Sequence, residues 1–280
     1  MFTSNALGDS FNQYYAESLR YRGKLRGVPY AWNKLNALTS GLQSENYTIL
    51  AGRPGTGKTT VMCQTVLTAA RHLRNIDAQG VVRVITCEMS HVMLVVRMVA
   101  QLAGVSPTKL TTGSTDLAET ERVREAVALL RTLPIEVLEP RSIHDTKEFL
   151  KPDTALWLVD YLQIHPLAEN ASLSSYEKTK KVSEAFRWFS RHVSPGIALS
   201  QLSRPTDKNE STPPTLSSLR DSGTIEQDAS LVAVLHRTTP VVEDMLSIEY
   251  NLMVLKNRYG PLGTLPLVFN PATMLFEERL

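Results

Sequence analysis

Cysteine is almost missing from this chain. Its 280 residues contain two, Cys63 and Cys87, without CxxC spacing or a histidine partner. That excludes a disulfide scaffold and a thiolate metal site. Both thiols read as buried and reduced, which favours a reducing, cytoplasmic compartment. A long hydrophobic run is missing too. Arg97 interrupts the most apolar helical stretch, so nothing approaches the roughly 20 residues of a membrane span. Met1 to Gly8 lacks the apolar core of a secretory signal. Charge of one sign is also missing: the net charge is +2. Composition therefore does not announce nucleic acid, and any basic surface must come from local clustering. Repeats and low-complexity blocks do not occur. What remains, 42% hydrophobic and 21% charged, suits a globular chain with one sizeable core and an appendage.

What is present starts with "TILAGRPGTGKTTVMCQ". An apolar run, Ile49 to Ala51, leads into a glycine-rich turn. Helical periodicity follows through Met62, Val66, Ala69, Ala70 and Leu73. Gly52, Gly57, Lys58 and Thr59 stand at G-x-x-x-x-G-K-[ST] spacing, with Gly55 and Thr60 in the same loop. Glycines let successive backbone N–H groups curl toward an anion, and the helix adds its positive end. Lys58 is expected to reach the β- and γ-phosphates of ATP or another NTP, and Thr59 to bind Mg²⁺.

Residues 9–22 carry Phe11, Tyr14, Tyr15 and Leu19 at helical spacing, stopped by Gly23. Strands are predicted at 81–86, 135–138, 155–160, 196–202 and 231–236. Helices are predicted between them: one closed by Gly104, one over 116–132, one opening at Ser142 and Asp145, and one over 174–192. In the last third, "SIEYNLMVLKNR" and "GTLPLVF" read as antiparallel partners about Tyr259-Gly260-Pro261. The alternation predicts an α/β fold, a mostly parallel central sheet with an antiparallel C-terminal extension. The segments 165–175 and 204–218 leave strands at their C-terminal ends, the ligand edge of such sheets.

Several strand ends carry groups suited to hydrolysis. Asp160 closes "LWLVD". Alone it serves equally as a turn residue; beside a phosphate loop it reads as a Mg²⁺ holder next to Thr59. Glu88 closes the strand after the phosphate-loop helix. If that strand neighbours the phosphate-loop strand, its carboxylate faces the γ-phosphate as general base; otherwise it is a solvated strand end. Gln201, neutral and at another strand end, reads as a γ-phosphate sensor or as a simple cap. Lys256 and Arg258 precede a tight turn. An inserted arginine adds on the order of 10³–10⁵ to phosphoryl-transfer rates, although a hairpin Lys/Arg pair can also be mere surface charge.

The blocks "GRPGTGKTT", "CEMS", "LVDYLQI", "ALSQLSR", "LRDSGTIEQDASLVAVLHR" and "LKNRYGPLGTLPLVFN" occur in this order. Together they resemble the RecA-like motor domain of DnaB-type replicative DNA helicases, from about Gly27 to about Phe276. The resemblance implies a RecA-like P-loop NTPase fold and a ring, usually of six copies. Such a ring hydrolyses NTP at subunit interfaces and moves 5′ to 3′ on single-stranded DNA. It implies Lys58, Thr59 and Asp160 as nucleotide and Mg²⁺ ligands, Glu88 as the catalytic glutamate and Gln201 as sensor. Lys256 and Arg258 become the trans-acting lysine and arginine finger. Arg220, Asp221 and Gly223 of "LRDSG" become the DNA contact, with Lys178, Lys180 and Lys181 as candidate additional charge. Partners implied are primase or a helicase loader, and the location is a bacterial or phage-infected cytoplasm.

Residues 1–26 are expected to form an arm and 27–280 the motor, with too few residues ahead of it for the family's helical collar. The Phe11–Leu19 stripe either docks on an adjacent subunit or covers this domain's own core. Cys87 stands where the family usually has an aliphatic residue, and Asp221 where Glu is common. Two other classes share part of the pattern. A RecA-like recombinase would lack "LRDSGTIEQDA"; an ATP-timed loading switch would not need both Glu88 and Arg258.

Overall fold

The computed structural model describes residues 3–22, 24–167, 173–202, 212–219, 223–239 and 247–279. Among these described residues nine strands form one sheet. They are β1 (Tyr47–Gly52), β2 (Val81–Thr86), β3 (Ile135–Leu138), β4 (Thr154–Asp160), β5 (Gly196–Gln201), β6 (Leu231–Arg237), β7 (Ile248–Asn257), β8 (Gly263–Asn270) and β9 (Leu275–Glu278). Their spatial order is β3-β2-β4-β5-β1-β6-β7-β8-β9. The first six are parallel and the last three antiparallel. The parallel strands read as continuous apolar runs because helices cover both of their faces.

On one face, α3 (Lys58–Asn75) buries Val61, Met62, Val66, Ala69, Ala70 and Leu73. On the other, α8 (Ser175–His192) buries Val182, Phe186 and Phe189 against Trp157 and Tyr47. Further out, α4 (His91–Ala103), the short α5 (Pro107–Thr112) and α6 (Leu117–Leu130) pack together around Val99, Val105 and Ala126. Local chemistry sets their limits. Asp116 and Glu119 form a capping box at the start of α6, and Ser174 and Glu177 do so at α8. Gly104, at φ 61°, ends α4 as its position suggested. Ser142 caps α7 (Ile143–Phe149) by accepting from the Asp145 N–H.

Three expectations need correction. The first helix, α1, runs Ser4–Arg20 and ends before Gly23, a residue outside the described set. None of its residues is buried, so its aromatic stripe does not cover this domain's own core. The strand carrying Glu88 at its end does not neighbour the phosphate-loop strand either: β4 and β5 lie between β2 and β1. Sequence periodicity also overlooked α2 (Asn33–Thr39), α5, α9 (Gly223–Asp228) and β9, all too short to show a period.

Candidate functional site

All of β1 is buried, and it delivers Gly52 to the C-terminal rim of the sheet. A Cβ on Gly52 would fall 2.7 Å from Thr56 Oγ1 and 3.1 Å from the Leu235 carbonyl, so only glycine fits between β1 and β6 there. Gly57 has φ 90°, a left-handed conformation that favours glycine, and it turns the chain into α3. No side chain caps that helix and no acidic residue sits in its first turn. The first N–H groups of an 18-residue helix are therefore left for an anion. A Cβ on Gly55 would meet nothing within 4 Å, so the loop is open on its outer side.

The expected residues gather here. Lys58 Nζ donates to the carbonyls of Gly52 (3.1 Å) and Arg53 (3.0 Å). Thr59 Oγ1 donates to Asp160 Oδ2 at 2.7 Å, from the first turn of α3 to the end of β4. Thr60 is buried in the first turn of α3. A hydroxyl and a carboxylate held together are hard oxygen donors suited to Mg²⁺. Burial raises the Asp160 carboxyl above its usual range; the Thr59 bond opposes this, Glu88 adds to it, and Lys58 and Arg97 lower it. Burial likewise lowers the Lys58 ammonium, opposed by the charges of Asp160 and Glu88. Glu88 is exposed, yet its charge acts on both residues. The β2-β4 pairing brings the ends of β2 and β4 level, with Thr86 opposite Asp160. Gln201 pairs in register with Gly52 and so sits at the loop's edge.

Two contributors escaped the sequence. Gln163, just beyond Asp160, donates from Nε2 to Ser200 Oγ (2.9 Å) and the Gln201 carbonyl (3.2 Å). It also accepts from the Gln201 N–H at 3.3 Å. Its amide bridges β4's exit to β5's end where their ladder has stopped. Arg97, on α4, exerts its charge on Asp160 and on buried Cys63. A cation breaking an apolar helix was the one available signal for it.

Lys256 and Arg258 lie elsewhere. Because β7 is antiparallel, its end at Asn257 pairs with Leu231, the start of β6. Leu231 aligns with Thr48, whereas Gly52 aligns with Leu235. Lys256 itself pairs with Val232, level with Ile49, and Arg258 lies beyond the start of β6. Both cations thus lie toward the rim opposite the phosphate loop, Lys256 about 10 Å short of the level of Gly52 along the strand and Arg258 further. There Lys256 Nζ donates to the Glu226 carbonyl (2.5 Å) and Arg258 Nη2 to the Gln227 carbonyl (2.8 Å).

Arg220 and Asp221 fall outside the described residues, while Gly223 opens α9. Lys180 and Lys181 are exposed on α8, Lys180 at 4.0 Å from Glu184. Among the described residues no helix is long and apolar enough to cross a membrane.

Comparison with known proteins gives a consistent pattern. The family described as DnaB-like helicase C terminal domain matches residues 27–278. The replicative DNA helicase DnaB of Geobacillus stearothermophilus is 29% identical over 256 residues, covering 88% of this chain and 55% of that protein. The chain thus spans about half the length of such relatives. A solved ATPase domain superimposes with a TM-score of 0.86 at 24% identity, over 99% of this chain and 100% of the other. A DnaB-like replicative helicase, solved in a study of its interactions with primase, gives a TM-score of 0.81 at 24% identity, over 96% and 65%. These two likenesses concern the fold, a RecA-like α/β architecture.

Proposed function

This chain belongs to the DnaB-like helicase C-terminal domain family, and we propose that it is an ATP-driven DNA helicase motor whose nucleotide site is completed by a second copy. One observation carries this reading: the phosphate loop and the Lys256–Arg258 pair occupy opposite rims of one sheet. The pair cannot reach its own chain's nucleotide. If it assists hydrolysis, it does so on a neighbour's.

Within one copy, the loop N–H groups and Lys58 hold the β- and γ-phosphates, which requires Lys58 to leave the Gly52 and Arg53 carbonyls. Thr59 and Asp160 hold Mg²⁺, which neutralises developing charge on the phosphate oxygens when bound. Glu88 accepts the proton of the attacking water, and Gln201 senses the γ-phosphate. Arg258 of the adjoining copy, with Lys256, compensates the remaining transition-state charge.

Two surfaces support association. The α1 stripe leaves Phe11, Tyr14, Tyr15 and Leu19 more than half exposed. An apolar groove of about 380 Å³ lies along α4, α5 and α6, lined by Val92, Val95, Val99, Leu110 and Val123. Residues 1–26 act as an arm whose stripe seats in the groove of an adjoining copy, and six copies close a ring around DNA. Arg220, Asp221 and Gly223 contact the DNA backbone, which suits a motor that ignores sequence, and the ring travels 5′ to 3′. A structural neighbour was studied with primase, and primase or a loader is a fitting partner for this chain in bacterial or phage-infected cytoplasm.

The test uses two silenced variants, Lys58→Ala and Arg258→Ala. Each alone is expected to lose DNA-stimulated ATPase. Mixed, they should regain part of it, because some interfaces then pair an intact loop with an intact finger. Failure to recover in assembled mixtures, or full turnover by a strict monomer, would overturn the reading.

A further inference from the structure

We propose that Asp228 is a positioning residue for the trans-acting cations, the anchor that fixes α9 as their platform. The inference rests on the reading that Lys256 and Arg258 serve a neighbour's nucleotide.

A helix leaves its last carbonyls without intrahelical partners. In α9 those of Glu226 and Gln227 are taken by Lys256 Nζ and Arg258 Nη2. The cations are therefore aimed by a six-residue helix that has little stability of its own. Something outside must hold it. Ile225 is fully buried in the core, and Asp228 is 5% exposed. Its two carboxylate oxygens divide between partners on α8: Oδ2 accepts from Ser183 Oγ at 2.8 Å, and Oδ1 from Arg187 Nη1 at 2.9 Å. A buried carboxylate survives only with such partners, and here they pin the end of α9 to the longer, well-packed α8.

Charge adds a second role. Arg258 and Arg187 both repel the Lys256 ammonium, while Glu226 and Asp228 attract it. Asp228 is the buried counter-charge that lets three cations share one small region. A guanidinium has five N–H donors, and the Gln227 carbonyl engages one of those on Arg258. The docked finger thus keeps donors for a phosphate while its direction is set by α9.

The test is genetic complementation at the protein level, using Asp228→Asn. The asparagine retains shape and an acceptor for Ser183 but removes the counter-charge. Its assemblies are expected to lose at least tenfold in DNA-stimulated turnover. Affinity for a fluorescent ATP analogue should stay within about twofold, because the phosphate loop lies on the far rim. Mixed with Lys58→Ala the variant should recover activity; mixed with Arg258→Ala it should not, since both then lack the same half-site. A merely structural defect would not give that pattern. Turnover within twofold of the parent, rescue by Arg258→Ala, or no rescue by Lys58→Ala would each overturn the proposal. Arg187→Ala, truncating the half-exposed partner, carries the test if Asp228→Asn does not fold: a smaller loss, about threefold, with the same mixing pattern is expected, and unchanged turnover overturns it. The mixture of Lys58→Ala with Arg258→Ala is the control. If that fails to recover, the shared-site reading fails first; if it recovers while Asp228→Asn does not follow the finger pattern, only the anchor is lost.

Discussion

Asp160 is held where a carboxylate is uncomfortable. Burial raises its proton affinity above that of the unfolded chain. Between the two values the folded state binds more protons, so stability falls as pH rises through that window. Ionised Asp160 is a cost that the proposed Mg²⁺ role would explain. Asp160→Asn should therefore stabilise the nucleotide-free protein, by about 1 kcal/mol at neutral pH, while abolishing hydrolysis. Thermal melts should show the advantage shrinking as the pH falls into the carboxylate range. His165 works in the opposite sense. Burial pushes it down from 6.5 to about 4, against a bond with the Pro166 carbonyl. It is lodged between Thr146, at 2.9 Å, and the edge of Phe186. Below pH 6.5 the unfolded chain takes up a proton that the folded one refuses until about 4, so stability is lost on acidification. His165→Asn should flatten that slope, which is worth up to roughly 3 kcal/mol across the window; an unchanged slope in urea melts would exclude His165 as its source. Residues of this scale were legible where their partners are near in sequence. Gly52, Lys58 and Thr59 share one loop, and the placing of Asp160 beside Thr59 followed from that loop. Gln163 was not legible, because its meaning is a contact with Gln201 across two strands.

The elements were legible wherever an apolar period persisted. Strands β2 through β6 and helices α3, α4, α6 and α8 fall close to their expected limits. The short elements were not, and α9 matters most among them: its six residues say nothing by periodicity, and only its contacts with α8 and β7 show how it is held. Glycine positions offer a sharp test at this scale. A Cβ on Gly196 would fall 1.9 Å from the Trp157 ring. Trp157 is fully buried and donates from Nε1 to the Ser194 carbonyl at 3.0 Å. The ring cannot retreat, since Tyr47 and Phe186 flank it. Gly196→Ala should cost about 3 kcal/mol or more, enough to lower the melting temperature markedly. A melt within a degree or two of the parent would show that β5 can shift away from the indole.

For the whole molecule, the order of strands was beyond reach. Alternating strands and helices announce a parallel sheet, but not that β4 and β5 insert between β2 and β1. Hence the condition that would set Glu88 on a strand next to the phosphate loop is not met, and its charge reaches Asp160 from two strands further off, through the aligned ends of β2 and β4. The exposed state of α1 also emerges only in three dimensions. Replacing Phe11 and Tyr15, which stack at 5.9 Å, by serine should weaken self-association at least tenfold in sedimentation experiments. Nucleotide affinity of the isolated copy should change little. Unaltered assembly would remove α1 from the contact.

The separation of loop and finger onto two rims has a geometric consequence. If the pair serves a neighbour's nucleotide, as proposed, each copy can give its cations to one neighbour and receive those of another, a head-to-tail contact. In that arrangement an open chain of copies would end with one idle site, and only closure would put all of them to use. Closing flat or climbing as a spiral would then depend on the pitch between neighbours, and either shape would inherit an arrow from the single subunit.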